Sequence, residues 1–199
     1  MKRTVVGLVG EAGTGKGEVA NSLLQNGFEY YSLSDTLRRV STNVGLSHER
    51  NNLIALGNAL RENFGNDILA HGAKLWANQI EGNRIVIDSI RNPAEVIYLK
   101  RELNAFIVGV TMSPEKAFQL IEARRRPGDP TTLEEFLQLR NRERGVGENS
   151  SGQQLTQCFA LTDFVLPNEG GISDLHRMTS ELLISRGLLS EGFSLYKER

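Results

Sequence analysis

The chain has 199 residues, of which 39% are hydrophobic and 24% charged, a composition that suits one compact α/β domain with its own core. Its 23 basic and 24 acidic residues give a formal net charge of −1, so the composition provides no overall positive field for nucleic acid or a membrane surface. The apolar run after the basic start MKR is too short for a signal-peptide core or a membrane span, and the single cysteine, Cys158, excludes an internal disulfide. We therefore expect a cytoplasmic protein with neither nucleic acid nor membrane as a partner.

Strands and helices alternate along the predicted chain. Short β-branched runs bounded by Gly, Asn, Asp or Pro predict strands at residues 3–9, 28–33, 84–90, 105–112 and 163–168. Apolar residues three and four positions apart predict helices at 16–26, 34–40, 48–64, 67–80, 93–103, 113–126, 132–140, 152–161 and 172–187. This alternation indicates a parallel sheet covered on both faces, with ligands at the carboxyl ends of the strands.

The segment GEAGTGKGE follows the first predicted strand directly and opens the first predicted helix. Gly10, Gly15 and Lys16 have the Gly-four residues-Gly-Lys spacing of a phosphate-binding loop, and the strand-loop-helix context makes the match specific. Small residues let backbone N–H groups surround an anion, the helix N-terminus adds partial positive charge, and Lys16 can reach the outer phosphates of a nucleotide. The residues predicted to bind the nucleotide here are Gly10, Glu11, Ala12, Gly13, Thr14, Gly15, Lys16, Gly17 and Glu18. An ordinary glycine turn is the structural alternative.

The ending GTGKGE resembles the adenylate-kinase branch of the nucleoside monophosphate kinases, whose loop also reads Gly-Lys-Gly. Gly17 stands where many phosphate loops carry the Ser or Thr that holds magnesium, and Glu18 stands where that branch has Thr. Glu18 either faces solvent, favoured there by the helix dipole, or organises the water molecules around the metal. We prefer the first alternative, because a carboxylate beside a polyphosphate repels it unless a metal intervenes.

A second group of candidates follows the second predicted strand, in the segment SDTLRR. Ser34, Asp35 and Arg38 are expected at the mouth of the site. The segment resembles the Gly-Asp-x-Leu-Arg signature of adenylate kinases, with Ser34 in place of Gly. The guanidinium of Arg38 suits bidentate binding of a phosphate on an acceptor substrate. Without the resemblance, Ser34 is an N-cap and Asp35 a first-turn carboxylate.

A third group lies in DSIRNPAE, where Asp88 ends the third predicted strand and Arg91 follows. In this architecture Asp88 faces the phosphate loop, where it can hold a magnesium-bound water or meet the acceptor, while Arg91 binds the acceptor phosphate. This segment and the Arg-x-x-Leu-x-x-x-Gly-x-x-x-Arg pattern from Arg50 to Arg61 resemble phage-type deoxynucleoside monophosphate kinases. The resemblance makes Arg61 a third acceptor-binding candidate. A structural ion pair between Asp88 and Arg91, and a solvated helix face for Arg61, are the alternatives.

The charge-rich segment at residues 124–154, which begins at the end of the sixth predicted helix, has the Pro, Gly and Ser content of a mobile lid, although a solvent-exposed loop with short helices fits equally well. Arg124, Arg125 and Arg140 are predicted to close over the transferred phosphoryl group, because arginines that neutralise its charge can contribute ~10³ to 10⁵ in rate. A solvated charge run is the alternative for these arginines. The C-terminal segment TDFVLPNEGG resembles dephospho-coenzyme A kinases, which implies that Asn168 and Gly170 border the adenine of ATP. Without the resemblance, PNEGG is an ordinary turn.

Together these segments predict an α/β P-loop NTPase fold of the nucleoside monophosphate kinase type, a five-stranded parallel sheet flanked by helices. We expect one domain over residues 1–199, with an acceptor-binding helical insertion at about 34–81 and a lid at about 124–152. The predicted catalytic residues are Lys16, Asp88, Arg124, Arg125 and Arg140.

The predicted cofactors are ATP and Mg²⁺, without a certain direct protein ligand for the metal, since Asp88 would act through a water molecule. The predicted reaction is phosphoryl transfer to a small nucleotide acceptor, namely a (deoxy)nucleoside monophosphate. A dephospho-coenzyme A kinase-like enzyme and a non-catalytic nucleotide sensor are the alternatives.

Overall fold

The computed structural model describes residues 3–126 and 128–189. The strands are β1 (Thr4–Val9), β2 (Glu29–Ser32), β3 (Arg84–Asp88), β4 (Phe106–Thr111) and β5 (Phe164–Pro167). The helices are α1 (Lys16–Gln25), α2 (Leu33–Asn43), α3 (Arg50–Phe64), α4 (Ile68–Ala77), α5 (Pro93–Leu103), α6 (Pro114–Arg124), α7 (Leu133–Arg144), α8 (Leu155–Ala160) and α9 (Ile172–Ser185).

The strands form one sheet in the order β2-β3-β1-β4-β5, and every neighbouring pair is parallel. In this register Gly7 of β1 lies between Ile87 of β3 and Ile107 of β4. Because all five strands run in one direction, the segments that follow them meet at a single edge of the sheet. That edge carries the phosphate loop after β1, Asp88 at the end of β3 and Asn168 after β5.

Helices cover both faces of the sheet. Val5 and Val9 of β1 pack in one cluster with apolar residues of α2, α3, α4, α5 and α8, whereas Val6 and Leu8 pack in a second cluster with α1 and α9. This alternation follows from the two-residue period of a strand. The central strands β1, β3 and β4 are buried except at their ends, so they read as continuous apolar runs, of which TVVGLV is an example. The predicted helical insertion corresponds to α2, α3 and α4, which lie between β2 and β3 in the chain.

A third, smaller apolar cluster joins α6 and α7 to the phosphate loop. The ring of Phe136 on α7 is fully buried and packs with Ala117 and Ile121 of α6, with Met112 after β4 and with Ala12 of the loop. Part of the predicted lid is therefore a helix packed on the body of the protein. That this segment moves as a lid stays a prediction.

The structure confirms the predicted fold. Each predicted strand and each predicted helix is present, with ends displaced by a few residues; α7, for example, continues to Arg144 instead of ending at residue 140. Cys158 is buried in α8, where burial raises the pKa of its thiol to about 12, so it behaves as a small apolar side chain. Within residues 3–126 and 128–189, no helix has the length and apolar character that crossing a membrane requires.

We predict that Phe136→Ala destabilises the protein by about 3–5 kcal/mol, the usual cost of removing a buried aromatic ring from a core. Leu137→Ala, which truncates the next side chain on the exposed face of the same helix, should change stability little. Chemical denaturation of both variants measures the difference. Equal, small losses for the two variants would show that α7 does not belong to the cooperative core.

Candidate active site

A cavity of about 630 Å³ lies at the carboxyl edge of the sheet. Its wall is formed by the phosphate loop and the start of α1, by the insertion helices α2 to α4, by the segment after β3, and by parts of α6, α7 and the segment between them. The cavity thus lies where α/β folds of this type bind ligands.

The phosphate loop is enclosed so tightly that three of its glycines, Gly10, Gly13 and Gly15, are required. A Cβ atom on Gly10 would lie 2.7 Å from the carbonyl oxygen of Val110, and one on Gly13 would lie 2.7 Å from the carbonyl oxygen of Ala117. Gly15 has a φ of +94° and precedes α1 directly, so it combines a left-handed backbone with the N-terminus of a helix. Such a loop leaves backbone N–H groups and the helix dipole available to a phosphate group.

Lys16 opens α1 at the floor of the cavity. Its ammonium group is 3.4 Å from the carbonyl oxygen of Glu11, and its methylene chain packs beneath Gly10. Burial lowers the pKa of Lys16, and the nearby carboxylate of Asp88 opposes this shift. An incoming phosphate would supply the negative charge that this partly desolvated cation lacks.

Asp88 faces Lys16 from the end of β3. Its Oδ2 accepts a hydrogen bond of 3.3 Å from the hydroxyl of Tyr30, and its Oδ1 accepts one of 2.6 Å from the backbone N–H of Ser89. Burial, together with the charge of Asp88, raises the pKa of Tyr30 to about 12, so this hydroxyl remains a donor. Ser89 has a φ of +65°, a left-handed conformation that costs a non-glycine residue about 1–3 kcal/mol and is concentrated at functional sites.

Arg91 is positioned by the N-terminus of α5. Asn92 caps this helix, and Glu95 Oε2 accepts the backbone N–H groups of Arg91 (2.8 Å) and Asn92 (3.0 Å). The Arg91 side chain lines the cavity, where its guanidinium lies 3.0 Å from the Glu143 carboxylate. The structural alternative, an ion pair between Asp88 and Arg91, is thus not the pair that the structure contains, since Arg91 pairs with a residue of α7.

Arg61 reaches the cavity wall, but its guanidinium is committed to a buried ion pair. Its Nε donates to Glu95 Oε1 at 2.9 Å, and both side chains are almost fully buried. The alternative of a solvated helix face is therefore wrong for Arg61. The pair joins α3 of the insertion to the start of α5.

Most of the predicted site residues line this one cavity. They are Ala12, Gly13, Thr14, Gly15, Lys16, Gly17, Glu18, Ser34, Arg38, Arg61, Asp88, Arg91, Arg124 and Asn168. Asn168 is buried and donates from Nδ2 to the Thr14 carbonyl at 3.1 Å, so the side chain supports the phosphate loop. Glu18 lines the cavity near the start of α1 and is partly exposed, an arrangement that leaves both alternatives for its role open.

Other predicted site residues lie outside the cavity wall. They are Gly10, Glu11, Asp35, Arg125, Arg140 and Gly170. Gly10 lies beneath the loop, and Asp35 is exposed and paired with Arg38. Arg125 is an exposed residue in the left-handed conformation that ends α6, and a Cβ atom on Gly170 would collide with Asp174.

Arg140 and Glu11 form a buried ion pair instead of facing a ligand. The Arg140 guanidinium contacts the Glu11 carboxylate and, at 3.3 Å, the carbonyl oxygen of Met112, and it lies over the ring of Phe136. Arg144 also pairs with Glu11. Arg140 therefore does not face the cavity as predicted, because its guanidinium and the Glu11 carboxylate neutralise each other in the interior and fix α7 to the phosphate loop. Nucleotide binding by the backbone of Glu11 stays a prediction.

The cavity also contains residues that the sequence did not identify as site residues. They are His48, Arg50, Ser89, Asp129, Glu143 and Gln153. Asp129 accepts hydrogen bonds from two nitrogens of Arg124 at 2.7 Å and from Arg50 at 3.0 Å. Glu143 was detectable in principle: Phe136, Arg140 and Glu143 have the spacing of one helix face, and the apolar Phe136 marks that face as buried.

The side chains present fit a magnesium ion that is held largely by its nucleotide. Among residues 3–126 and 128–189, no group of three or more His, Cys, Asp or Glu side chains is placed to hold a metal by itself. Asp88 and Glu18 are hard oxygen donors on the cavity wall, and Mg²⁺ is usually bound by one or two carboxylates together with substrate phosphates and water.

No family model matches the sequence. The chain is similar to a UPF0200 protein of Hyperthermus butylicus, with 29% identity over 181 residues that cover 91% of this chain and 94% of the relative. A UPF0200 protein of Staphylothermus marinus is 29% identical over 185 residues, covering 92% and 93% of the two chains. The name of these relatives specifies no reaction.

Several solved structures have the same fold. TT1252 from Thermus thermophilus superposes with a TM-score of 0.62 at 18% identity, covering 93% of this chain and 98% of that one. Shikimate kinase from Acinetobacter baumannii, in complex with shikimate, superposes with a TM-score of 0.58 at 14% identity, covering 94% and 96%. The chain therefore has an α/β P-loop NTPase fold, and its structural neighbours include kinases.

We predict that Glu95→Ala lowers stability by about 3–5 kcal/mol, because it leaves the Arg61 cation buried without its carboxylate partner and removes the Glu95 half of the capping box of α5. Glu102→Ala, at the other end of the same helix, removes two partly exposed ion pairs, with Lys74 and with Arg101, and should have a smaller effect. Urea denaturation compares the two. A small loss of stability in Glu95→Ala would show that Arg61 has access to another partner, which could be an anion bound in the cavity.

Proposed function

We propose that this protein is a kinase that transfers the γ-phosphoryl group of MgATP to a small phosphorylated acceptor, a (deoxy)nucleoside monophosphate. The observation that carries the proposal is the position of Lys16, which lies in a glycine-rich loop at a helix N-terminus and faces Asp88 across one cavity. The kinases among the structural neighbours support phosphoryl transfer as the reaction class.

The donor side of the proposal uses the phosphate loop. The loop N–H groups and Lys16 bind the phosphates of ATP, and the helix dipole of α1 favours their negative charge. A bound Mg²⁺ would neutralise charge that develops on the transferred group, and Asp88 would hold it through a water molecule. Because phosphoryl transfer depends mainly on positioning and electrostatics, the fixed contacts of Asp88 with Tyr30 and Ser89 suit it to this role.

The acceptor side uses arginines from separate elements. Arg38 of α2, Arg91 before α5 and Arg124 of α6 line the same cavity, and guanidinium groups bind phosphate in a bidentate manner. Between these charges the wall is apolar, with Leu37 and Leu53 among its residues. A molecule with a phosphate group and a flat, weakly polar body fits this combination, and a nucleoside monophosphate is such a molecule.

The proposal is tested by ADP release from MgATP in the presence of each ribo- and deoxyribonucleoside monophosphate and of dephospho-coenzyme A. We expect one class of monophosphate to stimulate release at least about tenfold over the rate with water alone, since a closed site excludes water as an acceptor. Stimulation by dephospho-coenzyme A alone would assign the acceptor to that compound instead. ATP binding without stimulation by any acceptor would indicate a nucleotide sensor.

Lys16→Met should lower turnover by about 10³-fold or more, because the cation beside the transferred group is lost while the methylene packing under Gly10 is kept. The melting temperature should stay the same or rise, because burial disfavours the charged form of Lys16 in the unliganded protein. Lys100→Met, which removes a lysine paired with Asp163 on the surface, serves as the control and should retain full activity. Wild-type turnover in Lys16→Met would exclude the assigned phosphate loop from catalysis.

A further inference from the structure

Glu143 is a buried carboxylate that connects the two sides of the cavity. The residue lies in the last turn of α7, is 2% exposed and lines the cavity wall. Its Oε2 accepts the backbone N–H of Ala12 at 2.9 Å, and its Oε1 lies 3.0 Å from the guanidinium of Arg91. One side chain therefore contacts the phosphate loop on the donor side and an arginine on the acceptor side.

A merely structural role does not explain these contacts. The helix α7 is already fixed to the body by the fully buried ring of Phe136 and by Arg140 and Arg144, which both pair with Glu11. A further buried carboxylate has a desolvation cost that a neutral side chain at the same position would avoid. The cost is offset at Glu143 by two charge-assisted contacts, and both of their partners belong to the candidate site.

We propose that Glu143 is a positioning residue for phosphoryl transfer, which holds the Arg91 guanidinium and the start of the phosphate loop in a fixed relation. The inference rests on the proposed function. The Ala12 contact fixes the loop that binds ATP, and the Arg91 contact directs the guanidinium toward the acceptor phosphate. Since a small misplacement of reacting groups has a large effect on rate, a link between the two sites affects the alignment of donor and acceptor.

The two contacts are separable by substitution. Glu143→Gln keeps an oxygen that can accept the Ala12 N–H but loses the charge that pairs with Arg91, whereas Glu143→Ala loses both contacts. Glu148→Gln is the matched control, because it neutralises a carboxylate paired with Arg142 shortly after α7 and does not line the cavity. The thermal midpoint of each variant reports whether the fold is kept.

We expect Glu143→Gln to raise the KM for the best nucleoside monophosphate of the panel about tenfold, the usual loss for a contact with a charged group. Its KM for MgATP should stay within about twofold, since the Ala12 contact remains. Glu143→Ala should raise both the KM for the monophosphate and the KM for MgATP. Glu148→Gln should leave both KM values as they are in the wild type. An unchanged KM for the acceptor in Glu143→Gln would overturn the proposal. A lower KM would also overturn it, because it would show that Glu143 competes with the acceptor for Arg91.

Calorimetric titration of MgATP separates this inference from the proposed function. If the wild-type protein transfers phosphate to no acceptor in the panel, the proposed function fails. The titration then still tests the role of Glu143. Weaker MgATP binding by Glu143→Ala than by Glu143→Gln would support the inference that Glu143 positions the phosphate loop through its contact with Ala12. Equal affinities of the two variants and the wild type would overturn it.

Discussion

The structure depends on how closely later parts of the chain approach the phosphate loop. Val110 at the end of β4 and Ala117 of α6 each place a carbonyl oxygen where the Cβ atom of a larger residue at Gly10 or Gly13 would lie. Asn168, after β5, supports the loop from a third direction through the Thr14 carbonyl. The loop conformation is therefore set by elements that lie a hundred or more residues away in the chain, and each of these elements also contributes to the cavity or to its support.

The charges of the cavity are arranged in pairs. Arg91 is held by Glu143, and Arg124 forms two hydrogen bonds with Asp129. A guanidinium that is held by a carboxylate loses less side-chain freedom when it binds a phosphate, because its orientation is already restricted. The pairing also keeps the cation-rich cavity from being strongly repulsive without a ligand. The cost is that each bound phosphate must share its arginine with a carboxylate.

Local patterns explain what could be predicted from the sequence. The phosphate loop lies within nine consecutive residues, and strands buried on both faces give apolar runs that the sequence shows directly. The contact between Ala12 and Glu143 joins residues 131 positions apart, and no local pattern encodes it. In the arginine-rich segment, charge alone does not separate Arg124, which lines the cavity, from Arg140, which is buried against Glu11. The helical spacing from Phe136 to Arg140 does distinguish Arg140 from Arg124, because it places Arg140 on the buried face of its helix.

Gly17 differs from the other glycines of the loop. A Cβ atom there would have no neighbour within 4 Å, and Gly17 is not among the glycines with a positive φ, so neither packing nor backbone conformation requires glycine. Glycine near the start of a helix nevertheless costs about 0.5–1 kcal/mol relative to alanine. Gly17 lines the cavity, so a side chain there would extend into the space that a nucleotide and its metal would occupy. Under the proposed function, the absence of a side chain at Gly17 would leave room for a hydrated Mg²⁺, and the Asp88 carboxylate, which lines the same cavity, would hold its water molecules.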